Sequence, residues 1–584
     1  MTSRDHGRLD QNAVVHGRVT IDGTASRALK MGRHRLVLVG ALLSLAYLVI
    51  GVRLVDVTLV KDGFEPRFTP TAAESHARFA RSDIVDRNGV LLATNLPTAS
   101  LYADPKRVMD ARETADALAA VLPGISHAEL MSKLTSARRF VWLKRNLTPR
   151  QQVAINRLGL PGVSFQREER RAYPLGSLFA HVAGFADIDN RGLAGVEKAF
   201  DDVLRAPPRG PAEPLRLSLD ARIQHVLREE LRAGMTEFSA LGAAGIVLDV
   251  NSGEVLAMSS LPDFDPNHLG PGDGEARFNR ATLGAYEMGS TFKVFNTAMA
   301  LDSGVAGLTD KYDASKPLRV ARFVIRDYKP KNRWLTVSEI FAYSSNIGSA
   351  KLALDIGTEA QRDYLARFGL LRPANIELPE VAAPILPSPW REINTMTIGF
   401  GHGVAVSPLQ LASAVASVVN GGVYHPATLI KRTGGEPLIG WRAISPETSL
   451  KMRALLRLVV ASGTGRKAAV AGYMVGGKTG TAEKPSAKGY ARKSLISSFV
   501  AAFPMNAPRY VVFVMFDEPH GTKATFNYAT GGWTAAPAVG RVIRRIGPIL
   551  GVAPVVEAAP DAAPEGGQGR YIKVAGEEGL GVAF

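Results

Sequence analysis

The chain has 584 residues, of which 46% are hydrophobic and 21% charged, a composition that folds over most of its length but exceeds one compact core, so two to four domains are expected. It contains no cysteine, which excludes a disulfide frame, a thiol nucleophile and any cysteine-held zinc or iron–sulfur site. The net charge of +16 invites a nucleic-acid partner, but the Lys and Arg residues form no dense stripe and accompany no recognition motif; a basic exterior facing anionic lipid or an acidic polymer fits the same charge.

Residues 1–35 are polar, with no sustained period, and predict a short disordered cytoplasmic tail. From Leu36 to Val52 an apolar run (LVLVGALLSLAYLVIGV) carries no charge, near the lower limit for a spanning helix of roughly 17–25 residues. A single transmembrane helix is therefore expected over 36–56. Arg27, Lys30, Arg33 and Arg35 precede it, so the positive-inside rule puts the N-terminus in the cytoplasm and the remainder outside. A cleaved signal peptide is the rival reading; no small-residue cleavage pattern follows the run, and the leading segment is long for one.

A first external module is expected over 57–214. It opens on strand-like text, SDIVDRNGVLLATN, turning at Arg87-Asn88-Gly89, and a helical stretch follows around Asp110–Leu134. The Pro- and Gly-bearing segment Ala206–Pro214 marks the boundary. A second module, 215–548, begins with a short strand and a helix capped by Asp220, with Ile223, Val226, Leu227 and Leu231 on one face. A hairpin turning at Asn251-Ser252-Gly253 comes next. Helical text fills the middle and strand text returns at SLISSFVAAF and YVVFVMFDEP. Strands at both ends enclosing helices predict an α+β fold with a largely antiparallel sheet. Residues 549–584, rich in Ala, Pro, Gly and Glu, predict a disordered tail.

Three short motifs carry chemistry. Ser290-Thr291-Phe292-Lys293 opens a predicted helix, which places Lys293 one turn from Ser290 on the same face. Helix-start N–H groups can hold a developing oxyanion, and burial favours a neutral lysine able to take the serine proton. Ser344-Ser345-Asn346 follows Thr336 and Glu339, whose capping-box spacing predicts a helix over 337–343; its hydroxyl and carboxamide can relay a proton and fix a substrate amide. Gly476-Gly477-Lys478-Thr479-Gly480-Thr481 reads as a strand with Thr479 and Thr481 on one face. There Gly480 admits a close backbone, such as an extended peptide adding to the sheet edge. Taken alone, each has an ordinary reading: a capping serine, a polar helix end, a glycine-rich hairpin. Their single occurrence in this order, each on the element its chemistry needs, is what carries weight.

The ordered triplet resembles the signature of penicillin-binding proteins and serine β-lactamases. The resemblance extends to Arg81 with Asp86-Arg87-Asn88-Gly89, Arg171-Ala172-Tyr173-Pro174 with His181 and Gly184, and Gly192-Leu193-Ala194-Gly195-Val196-Glu197. These resemble the non-catalytic dimerisation or pedestal module of the class B proteins, a mixed α/β unit. Gly399-Phe400-Gly401-His402-Gly403, Ser407-Pro408-Leu409-Gln410, Asp517-Glu518-Pro519 and Gly531–Pro537 resemble their transpeptidase domain. The Ser344-Ser345-Asn346 form and Asp517-Glu518-Pro519 look like the division-specific, FtsI-type members. Residues 321–335 (ARFVIRDYKPKNRWL) fit the family's approach to the second motif only loosely.

The resemblance implies a peptidoglycan D,D-transpeptidase of the bacterial inner membrane with a periplasmic catalytic domain, acting in septal wall synthesis and acylated by β-lactams. Ser290 would be the nucleophile, Lys293 its base, and Ser344 and Asn346 the proton relay and peptide anchor. Lys478, Thr479, Gly480 and Thr481 would receive the terminal carboxylate of a D-Ala-D-Ala stem, and the backbone N–H groups of Ser290 and Thr481 would form the oxyanion hole. It implies no metal and no organic cofactor. Expected partners are stem peptides, β-lactams, the membrane, and cell-division membrane proteins including a septal glycosyltransferase; no nucleic acid is expected. An elongation-type transpeptidase remains an alternative, and so do a D,D-carboxypeptidase and a β-lactamase, which the triplet does not separate because the acceptor enters only after acylation.

Overall fold

The computed structural model describes residues 37–52, 81–206, 213–272, 274–320, 323–435, 437–486, 489–555, 572–573 and 581–582. Residues 37–52 are helical and exposed along their length. Among the described residues no helix is long and apolar enough to cross a membrane. The predicted tail 1–35 and the ends of the predicted span 36–56 lie outside the described residues. Of the predicted tail 549–584, the described part beyond residue 555 is a pair of short strands, Ile572–Lys573 with Gly581–Val582.

In the first module, β1 (Ile84–Val85) and the long β2 (Leu91–Ala103) pair antiparallel around the Gly89 turn, where φ is +90°. The predicted helical stretch is two helices, α1 (Ala111–Val121) capped by Asp110 and α2 (His127–Leu134) capped by Ser126. Pro123-Gly124, with φ +99° at Gly124, separates them, a conformation no helix continues through. β3 (Val141–Leu147) and β4 (Val163–Ala172) both pair with β2. Leu101, Leu118, Leu130 and Leu143 close a small core beneath the helices.

In the second module, β5 (Leu215–Arg216) runs parallel to β1, joining the start of one module to the start of the next. α3 (Ala221–Glu237) has the predicted Asp220 cap, and β6 (Gly242–Asp249) with β7 (Val255–Leu261) make the predicted hairpin. The middle is helical: α4 (Lys293–Asp302), α5 (Val337–Tyr343), α6 (Asn346–Ile356), α7 (Pro408–Val419) and α8 (Pro446–Ala461). The chain then returns to strand in β8 (Gly476–Ser486), β9 (Gly489–Phe503) and β10 (Tyr510–Asp517), and ends in α9 (Ala535–Ile549). Five strands form one antiparallel sheet in the order β8-β9-β10-β6-β7, as strand–helix–strand order predicts.

Period two explains the layers. Along β10, Val512, Val514 and Phe516 pack with α3 and α9, through Leu227, Leu231, Val539 and Ile543. Val511, Phe513 and Met515 pack on the opposite face with α7 and α8, through Leu411, Val415, Leu455 and Val459. The second core also takes in Ile84, Leu92, Val196 and Leu204 of the first module, so the residues on either side of the predicted boundary share one hydrophobic interior.

One buried charge cluster holds the first module together. Glu197, fully buried, accepts from Arg81 Nε, from Arg171 Nε at 2.6 Å and from Tyr173 Oη at 3.4 Å. Arg81 also donates to Asp201. Burial beside Glu197 pushes the Tyr173 hydroxyl pKa well up. Removing the Glu197 carboxylate strands the buried Arg171 guanidinium and leaves Arg81 with Asp201 alone, a loss of about 3–5 kcal/mol. Glu197→Ala is therefore expected to lower the calorimetric unfolding temperature of the first module; an unchanged unfolding profile refutes this account.

Candidate active site

Ser290 sits in a 3-10 turn, Gly289–Phe292, that feeds directly into α4. Two glycines let this turn press against its neighbours. Gly289 has φ +53°, and a Cβ there would lie 2.3 Å from the Thr481 carbonyl oxygen. A Cβ at Gly401 would lie 1.9 Å from the Gly289 carbonyl oxygen. The serine is thus clamped between β8 and the Gly399–Gly403 loop, with the Thr481 backbone beside it.

Lys293, the first residue of α4, is completely buried. Its Nζ lies 3.0 Å from Ser290 Oγ, 2.7 Å from the Ser344 carbonyl oxygen, 3.1 Å from Ser344 Oγ and 2.7 Å from Asn346 Oδ1. Even an ammonium has only three N–H donors. In the neutral amine two N–H groups can serve the Ser344 carbonyl and Asn346 Oδ1, both at 2.7 Å, while the lone pair faces the Ser290 hydroxyl and can accept its proton. Burial and the charge of Lys478 hold the Lys293 pKa well below its usual value, with Asp327 opposing them.

The second motif forms as the capping box predicts. Thr336 and Glu339 cap each other's N–H groups, and α5 ends at Ser344 in the left-handed region, φ +62°. For a residue other than glycine this costs roughly 1–3 kcal/mol, and here it turns the hydroxyl back between two amines. Lys478 Nζ donates to Ser344 Oγ at 2.9 Å from the other side. Lys478 is also fully buried, and burial pushes its pKa down to about 7.

The structure gathers Ser290, Lys293, Ser344, Asn346 and Lys478 into one connected cluster. Thr479 and Thr481 lie on the opposite face of β8 from Lys478, since they pair across the ladder with Phe499 and Ser497 while Lys478 pairs with Val500. Thr479 Oγ1 lies 3.1 Å from Thr464 Oγ1, and Thr481 Oγ1 accepts from the Gly531 N–H at 3.1 Å. Gly480 does admit a close backbone, but it is the chain's own: a Cβ there would lie 2.7 Å from the Met288 carbonyl oxygen. β8 pairs only with β9 among the described strands, so its other edge has no strand partner there, as strand addition by a peptide requires.

Two residues near the site, Thr464 and Asp327, were not singled out from sequence, and His402 was read only as part of the Gly399–Gly403 motif. Thr464 backs Thr479. His402, near Lys293, has its pKa pushed down to about 4 by burial and the lysine charge. Asp327 binds the start of α6. Each acts across a long sequence separation from a loop, where periodicity gives no signal.

Comparison with known proteins gives the family. The family described as the penicillin binding protein transpeptidase domain matches residues 243–543, and the penicillin-binding protein dimerisation domain matches residues 77–209. The chain is 43% identical over 503 residues to the probable peptidoglycan D,D-transpeptidase FtsI of Caulobacter vibrioides, covering 84% of this chain and 85% of that one. It is 31% identical over 530 residues to the peptidoglycan D,D-transpeptidase FtsI of Escherichia coli, covering 85% and 87%. The crystal structure of penicillin binding protein 3 from Mycobacterium tuberculosis, complexed with aztreonam, superposes with a TM-score of 0.64 at 24% identity, covering 82% of this chain and 99% of that one; it shares the fold.

Two outcomes follow from the site. Gly289→Ala should abolish reaction at Ser290 in a folded protein, because the new Cβ strikes the Thr481 carbonyl; full reactivity with a covalent serine reagent refutes the clamp. Lys478 titrates near 7 when folded, against an ordinary value of 10.5. Between those values the unfolded chain binds the extra proton, so Lys478 makes stability rise with pH. The stability of the native chain relative to Lys478→Met should therefore climb from pH 7 to pH 9 by up to about 1.4 kcal/mol per pH unit, read from urea unfolding at each pH.

Proposed function

This chain belongs to the penicillin-binding protein transpeptidase family, and we propose that it is a peptidoglycan D,D-transpeptidase that cross-links stem peptides in septal wall synthesis, with Ser290 as nucleophile. The observation that carries the residue assignment is the wholly buried Lys293 Nζ, 3.0 Å from Ser290 Oγ. A donor stem ending in D-Ala-D-Ala lies along the open edge of β8, its terminal carboxylate toward Lys478, Thr479 and Thr481. Ser290 Oγ attacks the penultimate D-Ala carbonyl as its proton passes to Lys293. The backbone N–H groups of Ser290 and Thr481 hold the oxyanion. The peptide C–N bond breaks, the terminal D-Ala amine leaves with a proton relayed through Ser344, and an ester remains on Ser290. An amine of a neighbouring stem attacks that ester, forming the cross-link and returning a proton to Ser290 Oγ. β-Lactams acylate the same oxygen because they mimic the D-Ala-D-Ala end.

A D,D-carboxypeptidase would use water as the acceptor. The first module and the relatives named as transpeptidases favour the amine. We place the chain in the inner membrane as a single-pass protein, with 1–35 cytoplasmic, 36–56 spanning, and the pedestal module 57–214, the transpeptidase domain 215–548 and the tail 549–584 periplasmic. The apolar run and the four basic residues before it support this topology. Division membrane proteins, a septal glycosyltransferase among them, are the partners that a septal role requires.

Fluorescent penicillin is expected to label the native chain covalently, Ser290→Ala to take no label, and Lys293→Ala to be acylated about 10²–10⁴-fold more slowly. Undiminished labelling of Ser290→Ala overturns the nucleophile. Depletion in the source bacterium should give filaments, whereas rounded cells would assign it to elongation. A mature N-terminus beyond residue 52 would overturn the uncleaved anchor.

A further inference from the structure

We propose that Asp327 is a positioning residue for acyl transfer, one that fixes Ser345 and Asn346 and, through the Asn346 carboxamide, the proton acceptor Lys293; this rests on the role given to Lys293 above. Asp327 lies half-buried in the segment that approaches the second motif. Its Oδ1 accepts from the backbone N–H groups of Asn346 at 2.6 Å and Ile347 at 3.0 Å, and its Oδ2 accepts from Ser345 Oγ at 2.8 Å. One carboxylate thus binds three consecutive residues from 18 to 20 positions away. The neighbouring Arg326 carbonyl accepts from Asn346 Nδ2 at 3.0 Å. That contact settles which end of the carboxamide faces the lysine: with Nδ2 held by the segment, Oδ1 points to Lys293 Nζ at 2.7 Å.

Helix capping alone does not account for this. Ser345, the N-cap of α6, accepts only from the Gly348 N–H at 3.0 Å and leaves the Asn346 and Ile347 N–H groups to Asp327; the bond from Ser345 Oγ to Asp327 and the Arg326 contact with the Asn346 side chain go beyond a cap. The carboxylate also brings a negative charge to a site with two buried amines. The charged or titratable groups facing Lys293 are Lys478 from β8, His402 from the glycine loop and Asp327. Lys478 disfavours a proton on Lys293 and Asp327 favours one, while His402 is neutral at pH 7. The same contacts that hold the motif in place therefore set how readily Lys293 holds a proton.

The test compares the full-length native chain with Asp327→Asn and Asp327→Ala. Acylation by fluorescent penicillin is followed from pH 5 to pH 9, with the Ser290 adduct confirmed by mass spectrometry and folding checked by thermal melting. Asp327→Asn keeps an acceptor for the two backbone N–H groups but removes the charge. Its acid limb is expected to move to lower pH, because Lys293 gives up its proton more easily. Asp327→Ala loses the acceptor as well, and its plateau rate should fall about 10- to 100-fold. An acid limb in Asp327→Asn that coincides with the native one overturns the proposal, whatever the plateau and the melting temperature do. Absence of a Ser290 adduct in the native chain would instead overturn the nucleophile on which the proposal stands.

Discussion

Lys293 and Lys478 are both buried, with the Ser344 hydroxyl 3.1 Å from one amine and 2.9 Å from the other, so their nitrogens are no more than about 6 Å apart. Two ammonium ions at that separation repel by roughly 2–3 kcal/mol at an effective dielectric of 20, and each already loses hydration by burial. The pair is therefore more stable with at most one charge than with two. An unprotonated amine is what a serine needs to become a nucleophile.

Much of the fold serves to keep those two amines where water would otherwise separate them. Lys293 is fixed by the start of α4, Lys478 by the ladder of β8 with β9, and Ser344 by a strained residue at the end of α5. Three elements distant in sequence meet because the sheet is covered on both faces, so helices on the α7–α8 side must pack tightly against β8. Glycines at 289, 401 and 480 permit backbone approaches that any side chain would block. The cluster is rigid because it is over-determined, and its reactivity depends on that rigidity.

What could be read in the sequence was local. The Thr336–Glu339 box, the Asp220 cap, the Asn251-Ser252-Gly253 hairpin and the helix following Ser290 are set by residues within a few positions of one another, and the structure has all of them. The antiparallel sheet followed from strand text at both ends of the second module with helical text between. What escaped was set at long range. Asp327 sits in a segment with no period, and its partners are defined only once α6 is placed. Gly480 was assigned an incoming peptide because a strand glycine signals a close backbone without saying whose. The break at Pro123-Gly124 was visible as residues, yet the apolar spacing on either side of it reads as one continuous helix.

The parallel pairing of β1 with β5 brings residue 84 next to residue 215, and Asp86 Oδ2 accepts from the Ala221 N–H at 3.0 Å. The chain thus enters and leaves the first module at one place, with the intervening residues forming a closed excursion. In mechanical terms this is a bypass. Tension on the chain ahead of residue 81 meets the Arg81 bonds to Glu197 and Asp201 first, and then the two-residue ladder and the Asp86 contact, which hand it on to α3. The small core of α1, α2 and β3 lies off that line.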